Sequence, residues 1–98
     1  MQRVWFHVEA EREVDAAFEW YREQSRAAAA GFLNAMHALQ GRIGANPRAF
    51  PLTRQGLRKA VMARYPYVLL FREKSRGVEV LVVAHAKREP GYWAGRES

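Results

Sequence analysis

The sequence predicts an α+β fold in which a helical hairpin packs on one face of an antiparallel sheet, with the element order β-α-α-β-β-β. Three observations predict it. A short alternation of apolar and polar residues opens the chain, two stretches with helical spacing follow, and three runs rich in β-branched and aromatic residues fill residues 57–86. At 98 residues the chain can form one modest core, so we expect a single domain spanning residues 1–98.

Composition narrows the classes of protein to which this chain can belong. With 49% hydrophobic residues it is too apolar to be disordered. It contains no cysteine, which excludes a disulfide framework and a thiolate metal site. No apolar run resembles a signal peptide or is long enough to span a membrane, so we expect a cytoplasmic protein without membrane association.

Charge is distributed unevenly along the chain. The formal net charge is +6, yet residues 1–23 carry three basic and six acidic groups, whereas residues 24–98 carry thirteen basic and four acidic groups. Thirteen of the sixteen cations are arginines, whose planar guanidinium pairs well with phosphates and carboxylates. Such a surface favours a nucleic acid or an acidic protein as partner. The alternative interpretation is an arginine-rich protein without such a partner.

The first strand and the first helix are predicted from the N-terminal pattern. Residues 3–8 alternate with a period of two, which is typical of a strand. Acidic residues begin at Glu9, and acids in a first turn stabilise the positive end of a helix dipole. Val14, Phe18 and Tyr21 recur at helical spacing, so a helix is predicted over residues 10–24. We interpret the acidic run as the start of this helix rather than as a metal or acid–base site.

A second helix follows directly, with Ser25 as its predicted N-cap. Its apolar stripe consists of Phe32, Met36, Leu39 and Ile43. A glycine and a proline within residues 44–47 end it. Because the connection between the helices is so short, they are expected to fold back on each other as an antiparallel hairpin.

From Leu57 onward the apolar period changes to two and predicts three strands. They span residues 57–64, 67–73 and 78–86. Pro66 has no N–H for a sheet ladder and therefore marks the first hairpin end, while Gly77 can adopt the positive φ that the second turn needs. The N-terminal strand is expected to join this sheet, because alone it could not bury its apolar side.

The last strand carries the candidate site. Alternation predicts that His85 and Lys87 lie on the open face of the sheet, near Arg58 and Arg72 of the neighbouring strands. The face under the helices is predicted to hold Val78, Val80, Val82 and Ala84.

A cationic face with a histidine is suited to cleaving an RNA phosphodiester. A base would remove the 2′-hydroxyl proton, an acid would protonate the leaving oxygen, and cations would stabilise the charge at phosphorus. The candidate catalytic residues for this chemistry are His85, Arg72, Arg58, Lys87 and Tyr92. The alternative interpretation of a lone histidine at a strand end is structural. No metal site and no cofactor are predicted.

Four segments match a known family in order and spacing. They are EAEREVDAAFEWY in the first helix, the Phe32 to Pro47 end of the second, LRK and RYPYVLLFR in the central hairpin, and VEVLVVAHAKREPGYWAGR at the C-terminus. Together, over about residues 8–96, they resemble the RelE/ParE superfamily of toxins from bacterial type II toxin–antitoxin systems. The HAKREPGYW ending is most similar to the ParE-like, plasmid-stabilisation branch.

The resemblance implies the fold predicted above and a growth-inhibiting toxin neutralised by a cognate antitoxin. ParE-like members poison DNA gyrase, which is the expectation here, whereas RelE-like members cut mRNA on the ribosome, which is the alternative. A third alternative is an inactive toxin or a basic nucleic-acid-binding module.

The expected partner is an antitoxin whose acidic segment folds on the cationic part of the chain. A toxin–antitoxin hetero-oligomer or a homodimer would result. The residues expected to bind the partner are Arg58, Lys59, Arg64, Lys87, Arg88, Tyr92 and Trp93.

Overall fold

Two helices cover one face of a four-stranded sheet in the computed structural model, which describes residues 1–97. The elements are β1 (Val4–Phe6), α1 (Val8–Gln24), α2 (Arg26–Ala45), β2 (Arg58–Val61), β3 (Tyr67–Lys74) and β4 (Gly77–His85). Short 3-10 turns lie at Pro47–Ala49 and Ala94–Glu97. The predicted α+β class and the order β-α-α-β-β-β are confirmed.

Side-chain caps set the ends of the helices. α1 begins two residues earlier than predicted, because the Nδ1 of His7 accepts a hydrogen bond from the Glu9 N–H at 3.0 Å. Ser25 caps α2 as predicted, its Oγ accepting the Ala28 N–H at 2.9 Å. The N–H of Ser25 also closes α1 by bonding to the Tyr21 carbonyl, so a single residue turns the chain into the helical hairpin. Within residues 1–97, no helix combines the length and apolar character needed to cross a bilayer.

The sheet has the strand order β1-β4-β3-β2. β2, β3 and β4 form the predicted antiparallel meander. β1 joins it in parallel with β4, with Val4 opposite Val78. The sheet is therefore mixed rather than wholly antiparallel as predicted, because an alternating pattern contains no information about the direction of pairing.

The turn after β2 makes this strand shorter than predicted. It ends at Val61, three residues before the predicted end, and Arg64 in the following turn adopts a left-handed φ of 70°. Gly77 has a φ of 143°, as the second turn was predicted to need. A Cβ at this position would also collide with the carbonyl of Arg3, so the close approach of β1 depends on the glycine.

A β-bulge interrupts the ladder between β3 and β4. Leu70 pairs with Val82 but Phe71 pairs with Val80, which leaves Leu81 without a residue opposite it. One extra residue on one strand shifts the alternation of every residue after it to the other face.

The bulge overturns the predicted facing of the end of β4. Val82 and Ala84, predicted to lie under the helices, pack in the cluster on the opposite face. His85, predicted on the open face, lies on the helix side, where its ring meets that of Tyr67 at a centroid distance of 5.4 Å. The predicted pairing of His85 with Arg72 on one face is therefore wrong.

The sheet buries apolar residues on both faces. On the helix side, residues from both layers form the larger cluster, which includes Phe32, Met36, Ile43, Leu69, Phe71 and Val80. On the open face a smaller cluster forms from Leu57, Leu70, Leu81, Val82, Ala84 and Trp93. Since Trp93 comes from the chain after β4, the C-terminal segment completes the second core.

Candidate functional site

The open face carries a groove between the sheet and residues 86–97, with a volume of about 270 Å³. Its apolar lining includes Val68, Leu70, Ala84 and Trp93. Its charged residues are two cations, Lys59 from β2 and Arg88 from the turn after β4, and one acid, Glu89, and all three are exposed. We call this feature the open-face groove. Its apolar walls and basic rim suit a segment that combines apolar and acidic side chains.

The C-terminal segment is fixed to α1 through the carboxylate of Glu13. The Arg96 guanidinium donates to Glu13 Oε1 at 2.7 Å and to Oε2 at 3.2 Å. The Tyr92 hydroxyl donates to Oε2 of the same carboxylate. Trp93 between them is buried with 5% exposure. Charge-assisted bonds of this kind are about twice as strong as neutral ones, so this contact holds the wall of the open-face groove in place.

The same side chains complete an edge of the sheet. β1 pairs with β4 only as far as Val80. Beyond that point the Val83 N–H donates to Glu13 Oε1 at 2.9 Å, and the Leu81 carbonyl accepts from Arg96 at 3.0 Å. Side chains thus satisfy backbone groups that a neighbouring strand would otherwise have paired.

Tyr92 lies between two guanidinium groups, with Arg88 4.1 Å and Arg96 5.2 Å from its ring centroid. Burial, together with the hydrogen bond to Glu13 and the charge of that carboxylate, raises the pKa of Tyr92 to about 12. The hydroxyl therefore stays protonated at neutral pH and is engaged as a donor to Glu13.

Of the five residues predicted to be catalytic, His85 and Tyr92 line the open-face groove, and the other three do not. The strand partner of His85 is Tyr67, and Arg72 lies five residues further along β3, roughly 17 Å away. Arg72 also forms an ion pair with Glu79 at 3.1 Å. Arg58 donates to the Phe50 carbonyl at 2.7 Å. Tyr92 bonds to α1 as described, and Lys87 is exposed in the turn after β4. No point on the described surface brings all five together.

The residues predicted to bind a partner divide into two groups. Four of them line the open-face groove: Lys59, Arg88, Tyr92 and Trp93. The other three lie outside it: Arg64 in the β2–β3 turn beside Tyr65, Arg58 bonded to the chain before β2, and Lys87 exposed in the turn after β4. Partner binding by these residues remains a prediction.

Sequence reasoning missed the role of Glu13, which belongs to the acidic run interpreted as the start of the first helix. The signal was present in the helical spacing. Ala10 and Ala17 stand three residues before and four residues after Glu13, and both are buried. An acidic residue on a helical stripe of buried alanines needs a partner, and here the partner comes from the far end of the chain.

A family model matches most of the chain. The model of a family described as the ParE toxin of type II toxin–antitoxin systems, parDE, matches residues 4–90. This range contains both helices and all four strands. Tyr92, Trp93 and Arg96 lie beyond it. A comparison with curated proteins found none that matches.

Proposed function

Because the chain belongs to the ParE toxin family of type II toxin–antitoxin systems, as its resemblance to RelE/ParE toxins predicted, we propose that its target is DNA gyrase. We further propose that it acts in the cytoplasm, that a cognate antitoxin neutralises it by forming a hetero-oligomer with it, and that the pair stabilises the plasmid or locus that encodes it. The observation that carries the proposal is the open-face groove, a surface suited to binding a protein.

The charges of the groove support an acidic protein segment as the antitoxin's contact. Lys59 and Arg88 make no ion pair within residues 1–97. An acidic segment would supply the missing counter-charges, and its apolar side chains would cover Val68 and Leu70. Both contributions favour an antitoxin segment that folds as it binds.

The separation of the candidate catalytic groups supports a binding mode of inhibition over RNA cleavage. Acid, base and cations must all come within hydrogen-bond reach of one phosphate to cleave it. Arg72 lies roughly 17 Å along β3 from Tyr67, the strand partner of His85. Tyr92 is engaged by Glu13 and is a poor proton donor because of its raised pKa.

A gyrase assay tests the proposal. Purified toxin is incubated with DNA gyrase, ATP and relaxed plasmid, and cleaved plasmid is measured after the gyrase has been digested. We expect less supercoiling and more linear DNA, with the His85→Ala variant as active as the parent chain. Cutting of mRNA in translating ribosomes that is abolished by His85→Ala would contradict the proposal and favour a RelE-like nuclease.

Co-purification tests the antitoxin. The product of the adjacent gene, co-expressed with this chain, is expected to elute with it and to restore growth. Absence of both growth arrest and a bound neighbour would favour the third alternative, an inactive toxin or a basic nucleic-acid-binding module.

A further inference from the structure

A second cleft opens on the helix side of the sheet, where the C-terminal end of α1 meets the start of β3 and the end of β4. Its volume is about 300 Å³, and each lining residue carries a ring: Trp20, Tyr21, Pro66, Tyr67 and His85. We call it the aromatic cleft. It adjoins the open-face groove only at His85, the last residue of β4, and has no part in the function proposed above.

The rings of the aromatic cleft form a connected set. Trp20 meets Tyr21 at a centroid distance of 5.0 Å and an angle of 90°, and Tyr67 meets His85 at 5.4 Å and 75°. Trp20 nevertheless remains 57% exposed. An indole ring this exposed beside other rings offers a flat surface on which a planar ligand can stack.

Hydrogen-bond donors accompany the rings. The hydroxyls of Tyr21 and Tyr67 make no hydrogen bond within residues 1–97. Burial raises the pKa of both phenols, and for Tyr21 the neighbouring phenols add to the effect, so both hydroxyls remain donors at neutral pH. The Nδ1 of His85 accepts the Lys87 N–H at 3.1 Å, which leaves Nε2 as the N–H donor of the neutral imidazole.

An exposed cation, Lys87, follows the cleft residue His85 by two positions in the chain. The turn after β4 is held by the Lys87 bond to His85 Nδ1 and by the Arg88 N–H, which donates to the His85 carbonyl at 2.8 Å. Arg88 stacks on Tyr92, whereas the exposed ammonium of Lys87 has no ion pair among the described residues. On the α1 side Glu23 follows Trp20 by one turn. An anionic group is therefore expected near Lys87 and away from α1.

We propose that the aromatic cleft binds one nucleotide of a single-stranded nucleic acid, with the base stacked on Trp20 and the phosphate beside Lys87. Every base has a π-face and acceptor atoms, and unpaired strands stack on aromatic side chains without strong sequence preference. A duplex keeps its bases stacked inside and cannot enter. A proline-rich peptide also suits aromatic grooves, but it has no anion for Lys87.

Binding of labelled oligonucleotides to the purified chain tests this inference without gyrase or antitoxin. Fluorescence anisotropy is measured with an eight-nucleotide oligo-dT, an oligo-rU of equal length, a duplex and a proline-rich decapeptide. We expect both single strands to bind more tightly than the duplex and the peptide. Their relative affinity then shows whether DNA or RNA is the preferred source of the nucleotide.

Variants locate the binding. Trp20→Ala and Lys87→Ala are each expected to weaken oligo-dT binding roughly tenfold, while Trp20→Phe, which keeps a ring, retains most of it. The control Arg76→Ala removes a positive charge in the turn before β4, a strand that spans roughly 26 Å from Gly77 to His85, and is expected to change affinity less than about twofold. Circular dichroism verifies that each variant is folded.

Three results would overturn the proposal. The first is equal weakening by Lys87→Ala and Arg76→Ala with no effect of Trp20→Ala, which would indicate general attraction to a basic surface. The second is duplex binding as tight as single-strand binding. The third is a peptide that binds more tightly than either oligonucleotide and loses affinity in Trp20→Ala.

Discussion

Glu13 of α1 and Arg96 of the C-terminal turn form an ion pair of 2.7 Å between side chains that are 19% and 14% exposed. The pair joins the first helix to the last turn of the described chain. Because Glu13 also accepts from Tyr92 and from the Val83 N–H, one carboxylate connects a helix, the sheet and the wall of the open-face groove.

Replacing Glu13 is expected to destabilise the protein strongly. In Glu13→Ala the Val83 N–H and the Arg96 guanidinium lose their acceptor, and we expect the free energy of unfolding to fall by about 2–4 kcal/mol. Urea denaturation measures it. The control Glu19→Ala breaks an exposed pair with Arg22 and is expected to cost less than about 1 kcal/mol. Similar losses in the two variants would show that the buried contact contributes little.

Tyr92 is expected to make the fold sensitive to alkali. Its folded pKa of about 12 lies above the ordinary value of 10.0. The contribution of the Tyr92 hydroxyl to the free energy of unfolding is therefore fully present below pH 10 and is lost as the pH rises toward 12. Urea midpoints at pH 9, 10 and 11 should fall less steeply in Tyr92→Phe than in the parent chain, in which Tyr21 and Tyr67 add a slope of the same sign. Parallel pH profiles would refute this assignment.

Alanine substitutions at two glycines of α2 are expected to change the stability of the protein in opposite directions. A Cβ at Gly44 would lie 2.7 Å from the backbone oxygen of Gln2, so Gly44→Ala must push the start of β1 away and is expected to destabilise by about 1–3 kcal/mol. A Cβ at Gly41 meets nothing within 4 Å, and Gly41→Ala should stabilise by about 0.5–1 kcal/mol through helix propensity. Thermal unfolding of both variants checks the pair, and a stabilised Gly44→Ala would contradict it.

Charge reversal in the open-face groove is expected to slow the antitoxin's association. Lys59→Glu and Arg88→Glu should each lower the association rate at low salt by roughly tenfold, with a smaller difference at high salt, because opposite charges steer the encounter. Arg76→Glu, with the same charge change in the β3–β4 turn, is the matched control. Stopped-flow measurements over a salt series distinguish them. A rate that does not depend on salt would argue against docking at the groove.

Much of the fold follows from local signals in the sequence. The apolar stripe of α2, the cap at Ser25 and the turns at Pro66 and Gly77 all depend on neighbouring residues and were predicted correctly. The bulge at Leu81 was not predictable. β4 is the buried strand between β1 and β3, so both of its faces are apolar and its alternation does not show which residues lie under the helices.

The site was less predictable because it depends on register and on distant contacts. The residue types around the open-face groove were identified, but the positions of His85 and Arg72 relative to each other are set by the bulge and the strand pairing. Glu13 and Arg96 are 83 residues apart, and no local pattern connects them.

The position of β4 has a consequence for synthesis. The last strand along the chain lies between β1 and β3, and the apolar stripe of α2 packs on residues of that sheet. α2 is complete at Ala45, but β4 ends only at His85. At a synthesis rate of about 5–20 residues per second, roughly 2–8 s pass between the completion of α2 and the completion of β4. A chain whose synthesis stops before Gly77 therefore lacks the central strand of the sheet. Such a chain cannot form the folded toxin.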